Sequence, residues 1–395
     1  MVGKASFKWA SVVRRGKLES ESMITDCPSK MPLRPRVLFL LNNAPDYREP
    51  FLRDLSTDVD LTVVARSCEG DALVPPEERV GYRYIELPVR RVLGTVRQPG
   101  LGRIVRKEPW DVVCSSINMR DTGRIGLFLR SPKLRAKWVW WGHIFGRSVS
   151  PILRLLRSYL LRNSAGALVF NEEIAGALRR EFPILVASFN NTQVRECEFR
   201  AGVFRSDAVG PANETVSDSV VRLLFVGRNQ PRKRLERLVG LAERRRDVAI
   251  RFVGPGMETI SVPEELRRTE RITIYGRTVG AAVAEHFDWA DLVANPGHVG
   301  LLVLNTAQHG KGIVIDRTSD HAPEYLAAQE AGQPFIDFSD STEIDAFFDA
   351  LSPDKVQRWG EQLQGVARRR YTIEHMARVH RDLLFTIVER TRSAT

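Results

Sequence analysis

Cysteine is scarce: Cys27, Cys68, Cys114 and Cys197 are the only four in 395 residues, widely spaced and without a Cys-x-x-Cys pair. That spacing argues against metal or redox use and makes a reducing cytosol the expected compartment. Long apolar runs are also missing; the longest are strand-sized, far short of a membrane span. The first thirty residues carry Arg14, Arg15 and Lys17 but no apolar h-region, which argues against a secretory signal. No Asp-x-Asp follows a strand, because Asp58 and Asp60 precede one, so no metal cofactor is expected. Internal repeats, low-complexity tracts and a nucleic-acid module with stacking aromatics are absent from the sequence.

Positive charge, by contrast, is abundant. Fifty-nine Lys and Arg stand against 48 Asp and Glu, a formal charge of +11 supplied mostly by arginine. Such an excess suits anionic partners: nucleotide phosphates, acidic lipid headgroups or nucleic acid. Arginine in particular favours planar and phosphate partners.

Length alone suggests two domains. Residues 1–34 read as a disordered extension, with Met31 a candidate start. From Arg36 the chain alternates: strand RVLFLL, a helix after NNAPDYREP, strands DLTVVAR and RYIELP, and a helix over Pro99 to Arg106. Strands DVVCSS and KWVWWG come next, then the helix PILRLLRSYLLRNS, the strand GALVF, the helix NEEIAGALRREF and the strand ILVASF. Alternation of this kind predicts a parallel sheet with helices on both faces over residues 35–197. Residues 198–219 lose all periodicity and read as a linker. A second alternation fills 220–371, and a final amphipathic helix, 372–395, is long enough to cross back to the first half. The predicted fold class is α/β: two Rossmann-like, doubly wound domains facing a central cleft, with ligands at the carboxyl ends of the strands.

Two loops at such strand ends carry candidate chemistry. In FVGRNQPRKRLERL (225–238) a strand ends at Gly227, Arg228 follows at once, and Lys233 is expected at the start of the next helix. Arg228 and Lys233 together fit a phosphate clamp built on charge-assisted hydrogen bonds; the bland alternative is a solvated basic face. In DLVANPGHVGLLVLNTAQHGKGIVID a strand breaks at Pro296-Gly297, and Gly300 and Leu301 open a helix. Strand, turn and helix start present backbone N–H groups to an anion, although an ordinary βαβ unit has the same pattern.

Taken together these segments resemble the donor domain of family 4 glycosyltransferases, in a divergent form with PG-x-VGL. The carriers of the resemblance are FVGR with Lys233 five residues after the Arg, the YGR turn at 275–277, and ADLVANPGHVGLLVLNTAQHGKGIVI. It implies a GT-B fold over roughly 36–390 and retaining transfer from a nucleoside-diphosphate sugar, without metal. By the same resemblance Gly227, Arg228 and Lys233 hold the diphosphate. Tyr275, Gly276 and Arg277 lie beside the base, and Gly300 and Leu301 offer amides to the phosphates or sugar. The family's two glutamates are replaced by Gly297 and Asn305. Asn305 keeps an acceptor oxygen for the ribose but loses the charge, while Gly297 keeps nothing for the sugar. Glu324 of the Ala-Pro-Glu segment persists and is a donor-site candidate; it is equally explained as a carboxylate favoured at a helix N-terminus.

In the first half, His143 follows a strand end, where the resemblance implies a histidine facing the donor sugar. Tyr47 and Arg48 are acceptor-side candidates, although Asn42-Asn43-Ala44 stand where a glycine-rich loop is usual. The helix at 151–162 interleaves leucines with Arg154, Arg157 and Arg162, which suits either a sheet-covering helix or peripheral contact with anionic lipid.

The resulting expectation is a cytoplasmic glycosyltransferase acting on a saccharide or lipid-linked acceptor in cell-envelope polysaccharide or glycolipid synthesis, without nucleic acid. The alternatives are a nucleotide-sugar epimerase on the same fold and a nucleotide-sugar-binding protein with impaired catalysis.

Overall fold

In the first half the apolar runs become interior strands because helices cover both faces of the sheet, leaving no polar side to alternate with. The structure, a computed structural model, describes residues 34–66, 74–144, 150–202, 220–278 and 280–393. The expectations for residues 1–33, and most of the expected linker, lie outside the described residues.

The first lobe opens with β1 (Arg36–Leu40), α1 (Glu49–Asp58), β2 (Asp60–Arg66) and β3 (Arg83–Leu87). A hairpin of β4 (Arg90–Val92) and β5 (Thr95–Arg97) follows, then α2 (Leu101–Lys107) and β6 (Val112–Ser116). Next come α3 (Thr122–Arg130), α4 (Pro132–Arg135), β7 (Trp138–Gly142), α5 (Pro151–Arg162), β8 (Gly166–Val169), α6 (Glu172–Glu181) and β9 (Leu185–Ser188). Seven strands pair in parallel in the order β3-β2-β1-β6-β7-β8-β9. The hairpin stands outside this sheet. Its tip, Leu93 and Gly94, has positive φ at both residues, the geometry of a tight hairpin turn. Leucine there gives no turn signal, so the alternation pattern passes over it. The helix predicted at Pro99 begins at Leu101, because Gly100 before it is left-handed.

The second lobe runs β10 (Val221–Val226), α7 (Glu236–Arg244), β11 (Val248–Val253), α8 (Glu264–Arg268), β12 (Ile272–Tyr275), α9 (Ala281–Trp289) and β13 (Leu292–Asn295). It continues through α10 (Leu302–Gln308), β14 (Gly312–Asp316), α11 (Tyr325–Glu330), β15 (Phe335–Ile336), α12 (Ser341–Asp349) and α13 (Pro353–Arg370). These six strands are also parallel, in the order β12-β11-β10-β13-β14-β15. In both sheets the order reverses beside the first strand, and the crevice at that reversal is where doubly wound folds take ligands.

Strand β7, WVWWG, shows how side-chain alternation builds the first core. Trp138 and Trp140 pack on one face with Phe128, while Val139 and Trp141 point to the other. That second face is closed by α14 (Ile373–Ser393), whose Met376, Leu384 and Ile387 pack with Phe39 and Phe51. Full burial of side chains this size stabilises by roughly 1.5–3 kcal/mol each, enough to hold the last helix on the first lobe. The chain therefore crosses between lobes twice, at 189–194 and 370–373. The crossings bond to each other: Thr192 Oγ1 donates to the Tyr371 carbonyl at 2.8 Å, and the Ile373 N–H to that of Val194 at 2.9 Å. Phe189 belongs to the first core, whereas Val194 and Phe199 belong to the second. No helix among the described residues is long and apolar enough to cross a membrane.

Candidate functional site

At the reversal point of the second sheet, β10 ends on Val226, just before Gly227, and β13 on Asn295. The carboxyl ends of β10, β11 and β12 form a shelf, with the Gly227 N–H bonded to the Val253 carbonyl and the Gly254 N–H to that of Tyr275. Gly254 sits at φ +140°, and a Cβ there would meet the Gly227 oxygen at 1.8 Å, so only glycine fits. Arg228 projects from this shelf, exposed and without an ion-pair partner among the described residues. Gly276 and Arg277, at the outer edge, are likewise exposed. Tyr275 lies 4.5 Å from the His286 ring, with the Arg251 guanidinium 5.4 Å from its centroid.

Lys233 is not in a helix. It ends a short 3-10 turn, Pro231–Lys233, before α7 begins at Glu236. Its ammonium donates to the His298 carbonyl at 2.7 Å, while the His298 N–H donates to the Arg232 carbonyl at 2.9 Å. These two bonds seat the Pro296–Val299 loop directly on the basic turn. At Gly297 a Cβ would lie 2.5 Å from the Arg232 oxygen and 2.7 Å from that of Lys233. A side chain is therefore excluded where the resemblance anticipates a glutamate: the sugar-side carboxylate gives way to backbone packing. Burial, reinforced by Arg232, lowers the Lys233 pKa to about 8.

The same loop is braced by residues the sequence did not single out. His321 accepts from the Val299 N–H through Nδ1 at 3.2 Å and donates through Nε2 to the Asp316 carbonyl at 2.8 Å, fixing a neutral tautomer. Burial lowers its pKa, as it does that of His298, whose Nδ1 lies 2.7 Å from the Asp320 carbonyl. Fully buried Asp316, at the end of β14, pairs with Arg237 at 3.0 Å and Arg234 at 3.5 Å and accepts from Thr318 and Ser319. The arginines of the basic turn thus divide: Arg234 and Arg237 are held by Asp316, and Arg228 is exposed with no ion-pair partner among the described residues.

Glu324 immediately precedes α11, but its side chain caps no helix N–H. It turns to the crossing between the lobes instead. Oε1 accepts from the Asn191 amide of the first crossing, while Oε2 and the Asn191 Oδ1 are buried without partners. An ideal Cβ on Gly300 would lie 3.9 Å from that free Oε2, so the carboxylate also neighbours the Gly300–Leu301 turn. Burial raises the Glu324 pKa, against the hydrogen bond from Asn191 and the positive charge of Arg48. Asn305, on α10, accepts from Gln193 of the same crossing.

Arg48 supplies the opposite wall. The buried guanidinium lies 5.2 Å from the Trp141 ring and 5.9 Å from the Phe170 ring, with Tyr47 at 5.2 Å and the Met376 sulfur at 3.9 Å. Burial lowers its pKa; Tyr47 and Glu324 counter that shift. His143 tilts on Phe170 with ring centroids 4.4 Å apart. Its edge is exposed, yet the surrounding protein and the Arg48 charge both lower its pKa, leaving a neutral imidazole at pH 7. Contacts and charge thus link Tyr47, Arg48, His143 (through Phe170), Glu324 and Gly300, while Asn305 bonds to the same crossing as Glu324. Lys233 is joined to Gly300 through the glycine loop, while Tyr275, Gly276 and Arg277 stand two strands away from β10.

The crevice of the first sheet is filled by another unforeseen residue. Arg124, almost fully buried on α3, donates to the Leu40 and Leu41 carbonyls at 3.0 and 2.6 Å and to Ser116 Oγ at 2.9 Å. Asp121 pairs with it at 3.1 Å and with Arg66 at 2.8 Å. A protein cation thus satisfies the strand-end carbonyls that precede Asn42-Asn43-Ala44. Burial lowers the Arg124 pKa to about 10. Asparagine and glutamine at 190–193 were legible only as a strand end; nothing local marks Asn191 and Gln193 as reaching the other lobe.

No protein-family model matches the chain, and no curated protein matches it in sequence. Solved structures do share its fold. Sucrose-phosphate synthase from Thermosynechococcus elongatus superposes with a TM-score of 0.60 at 13% identity, covering 92% of this chain and all of that one. HepE from Anabaena, in complex with UDP and glucose, gives 0.61 at 14% identity over 89% of this chain and all of its own. A putative UDP-N-acetylglucosamine 2-epimerase from Listeria monocytogenes gives 0.52 at 14% identity, over 87% and 94% of the two chains. The fold is GT-B: two parallel α/β sheets of seven and six strands.

Proposed function

We propose that the protein is a retaining glycosyltransferase, related to family 4, that moves a sugar from a nucleoside-diphosphate sugar to a hydroxyl acceptor. In this reading the second lobe binds the donor and the first the acceptor. The observation that carries it is what the loops at the strand ends of the second lobe offer a ligand. Among the described residues Arg228 has no ion-pair partner at the reversal point of the second sheet, Lys233 is locked to the glycine loop, and Glu324 offers a buried oxygen without a partner beside Gly300. A diphosphate suits the cations and a sugar hydroxyl suits the unpartnered carboxyl oxygen. The HepE structures, solved with UDP and with UDP-glucose, lend the donor class its plausibility.

Breaking the anomeric bond leaves positive character on the sugar and negative charge on the departing diphosphate. Arg228, Lys233 and the Gly300–Leu301 backbone stabilise that charge; losing one preorganised donor costs on the order of 3 kcal/mol at the barrier. With retention, the acceptor hydroxyl attacks the face the diphosphate leaves. Its proton passes to the departing phosphate oxygen, so no protein nucleophile is needed. Neutral His143 and Tyr47 border the space for sugar and acceptor. The reading uses no metal. Its setting is the cytosol, where Cys114 and Cys197 stay as the free thiols they are here, and its products are envelope polysaccharide or glycolipid.

The epimerase reading has the Listeria likeness in its favour, but it needs two acid–base groups facing the sugar, and among the described residues Glu324 is the single buried carboxylate beside the Gly300 turn. A binding protein without turnover is kept in view by Gly297 and Asn305. Incubation with a panel of nucleotide sugars and acceptors, read by mass spectrometry, separates the three. Transfer that collapses in both Arg228→Ala and Lys233→Ala supports the proposal. Full activity in both variants refutes the clamp, and an isomerised donor without transfer identifies an epimerase.

A further inference from the structure

One face of the first lobe carries a charge bias unrelated to the cleft. Between Asp121 and Glu172 the sequence has nine Lys and Arg and not one acidic residue. The four helices α2, α3, α4 and α5, which pack on the same side of the first sheet, contain cations but no carboxylate. On α5 the outward stripe is apolar where a surface helix is normally polar: Ile152 is 76% exposed, Leu155 73% and Tyr159 43%. These positions are spaced by three and four residues and so share one face. Arg154 and Arg162 are exposed on the same helix. Arg135 donates to the Tyr159 hydroxyl at 2.9 Å, which ties α4 to α5 and brings exposed Lys133 and Arg130, with half-exposed Leu129, alongside. The inner stripe of α5, Leu160 and Leu161, already satisfies the core, so the outer leucine and isoleucine are left exposed, without a packing partner among the described residues.

We propose that this face of the first lobe, centred on Ile152, Leu155 and Tyr159 of α5, seats the protein on an anionic lipid bilayer. Apolar side chains projecting from a helix flanked by arginines match the interface, where acyl chains lie just beneath phosphate headgroups. A nucleic acid or other soluble polyanion would use the arginines but leave isoleucine and leucine in water. A second copy of the chain would bring an equally cationic face against this one, and the two would repel. The charge complementarity therefore selects the bilayer. The inference stands apart from the transferase reading, since no cleft residue enters it.

The test uses the full chain and sedimentation with vesicles of phosphatidylcholine, alone or mixed with phosphatidylglycerol. Wild type is expected to pellet with the mixed vesicles about tenfold better than with the neutral ones and to be released by salt. The double substitution Ile152→Ser with Leu155→Ser keeps every charge, and Arg154→Glu with Arg162→Glu keeps every apolar group; each is expected to lower binding about tenfold. All four side chains are exposed, and an unchanged thermal midpoint verifies folding. Failure to pellet with the mixed vesicles overturns the proposal, as does binding that both double variants retain in full. Tighter binding to heparin or DNA than to vesicles, unaffected by the serine pair, would reassign the face to a soluble polyanion. A wild-type dimer that the serine pair dissociates would reassign it to self-association.

Discussion

Asn191, in the first crossing between the lobes, donates its side-chain amide to the carboxylate of Glu324 in the second lobe, and each residue keeps one further oxygen without a partner. A buried oxygen left unsatisfied costs on the order of 1–3 kcal/mol, and in the proposed reading a hydroxyl of the sugar donor would offset that cost. Glu324→Ala is expected to lower turnover of the preferred nucleotide sugar on the order of a hundredfold, with Asn191→Ala intermediate. Steady-state kinetics on folded protein provide the check, and unchanged turnover in Glu324→Ala would remove it from the site.

The raised pKa of Glu324 fixes a direction for stability. A carboxyl whose folded pKa lies above its unfolded value contributes stability that is complete at low pH and lost as pH rises through the folded pKa. Glu324→Gln, which has no charge to bury, should therefore gain on wild type in thermal midpoint as pH increases. Parallel melting curves across pH would contradict this.

Lys233 gives a pH dependence of the same direction, in binding rather than stability. With its pKa lowered to about 8, the ammonium is charged below that pH and increasingly neutral above it. Affinity for UDP, measured by calorimetry, should weaken above pH 8 by up to about a factor of ten per pH unit. Lys233→Arg should flatten the profile.

Restoring the glutamate expected at position 297 should not restore a contact. Gly297→Glu, and even Gly297→Ala, forces a Cβ against the Arg232 and Lys233 carbonyls. A loss of about 1–3 kcal/mol in denaturant unfolding is expected, together with weaker UDP binding because the Lys233–His298 bond is displaced. Equal stability of Gly297→Ala and wild type would refute the packing argument.

Acid should loosen the last helix. His380 is fully buried on α14, donates through Nδ1 to the Met376 carbonyl at 2.7 Å and accepts from the Trp141 indole at 2.9 Å. Burial, its largest influence, holds the pKa at about 3. An unfolded histidine titrates near 6.5, so the unfolded chain takes up the proton first and stability falls below that pH, by about 2 kcal/mol at pH 5. His380→Gln should lessen this slope in denaturant titrations; an identical slope would show that other groups carry it.

The alternation of apolar strands and helices determined two parallel sheets, because a strand buried on both faces must be apolar throughout and a covering helix must show its period. Gly227, Arg228 and Lys233 were legible for the same local reason: a strand end, a glycine and cations spaced around a turn. Tertiary structure alone decided which oxygens and cations meet. Asn191 and Glu324 lie 133 residues apart, and nothing in either neighbourhood encodes a bond that exists only because the chain crosses between lobes there. Arg124 lies in a stretch to which the sequence pattern assigned no element, and in space it bonds the strand-end carbonyls of the first sheet. Gly297 reads as a lost glutamate until the backbone of Arg232 and Lys233 is seen lying where that side chain would begin. Local pattern fixes secondary structure through backbone geometry, whereas close approach between distant segments depends on how both lobes pack.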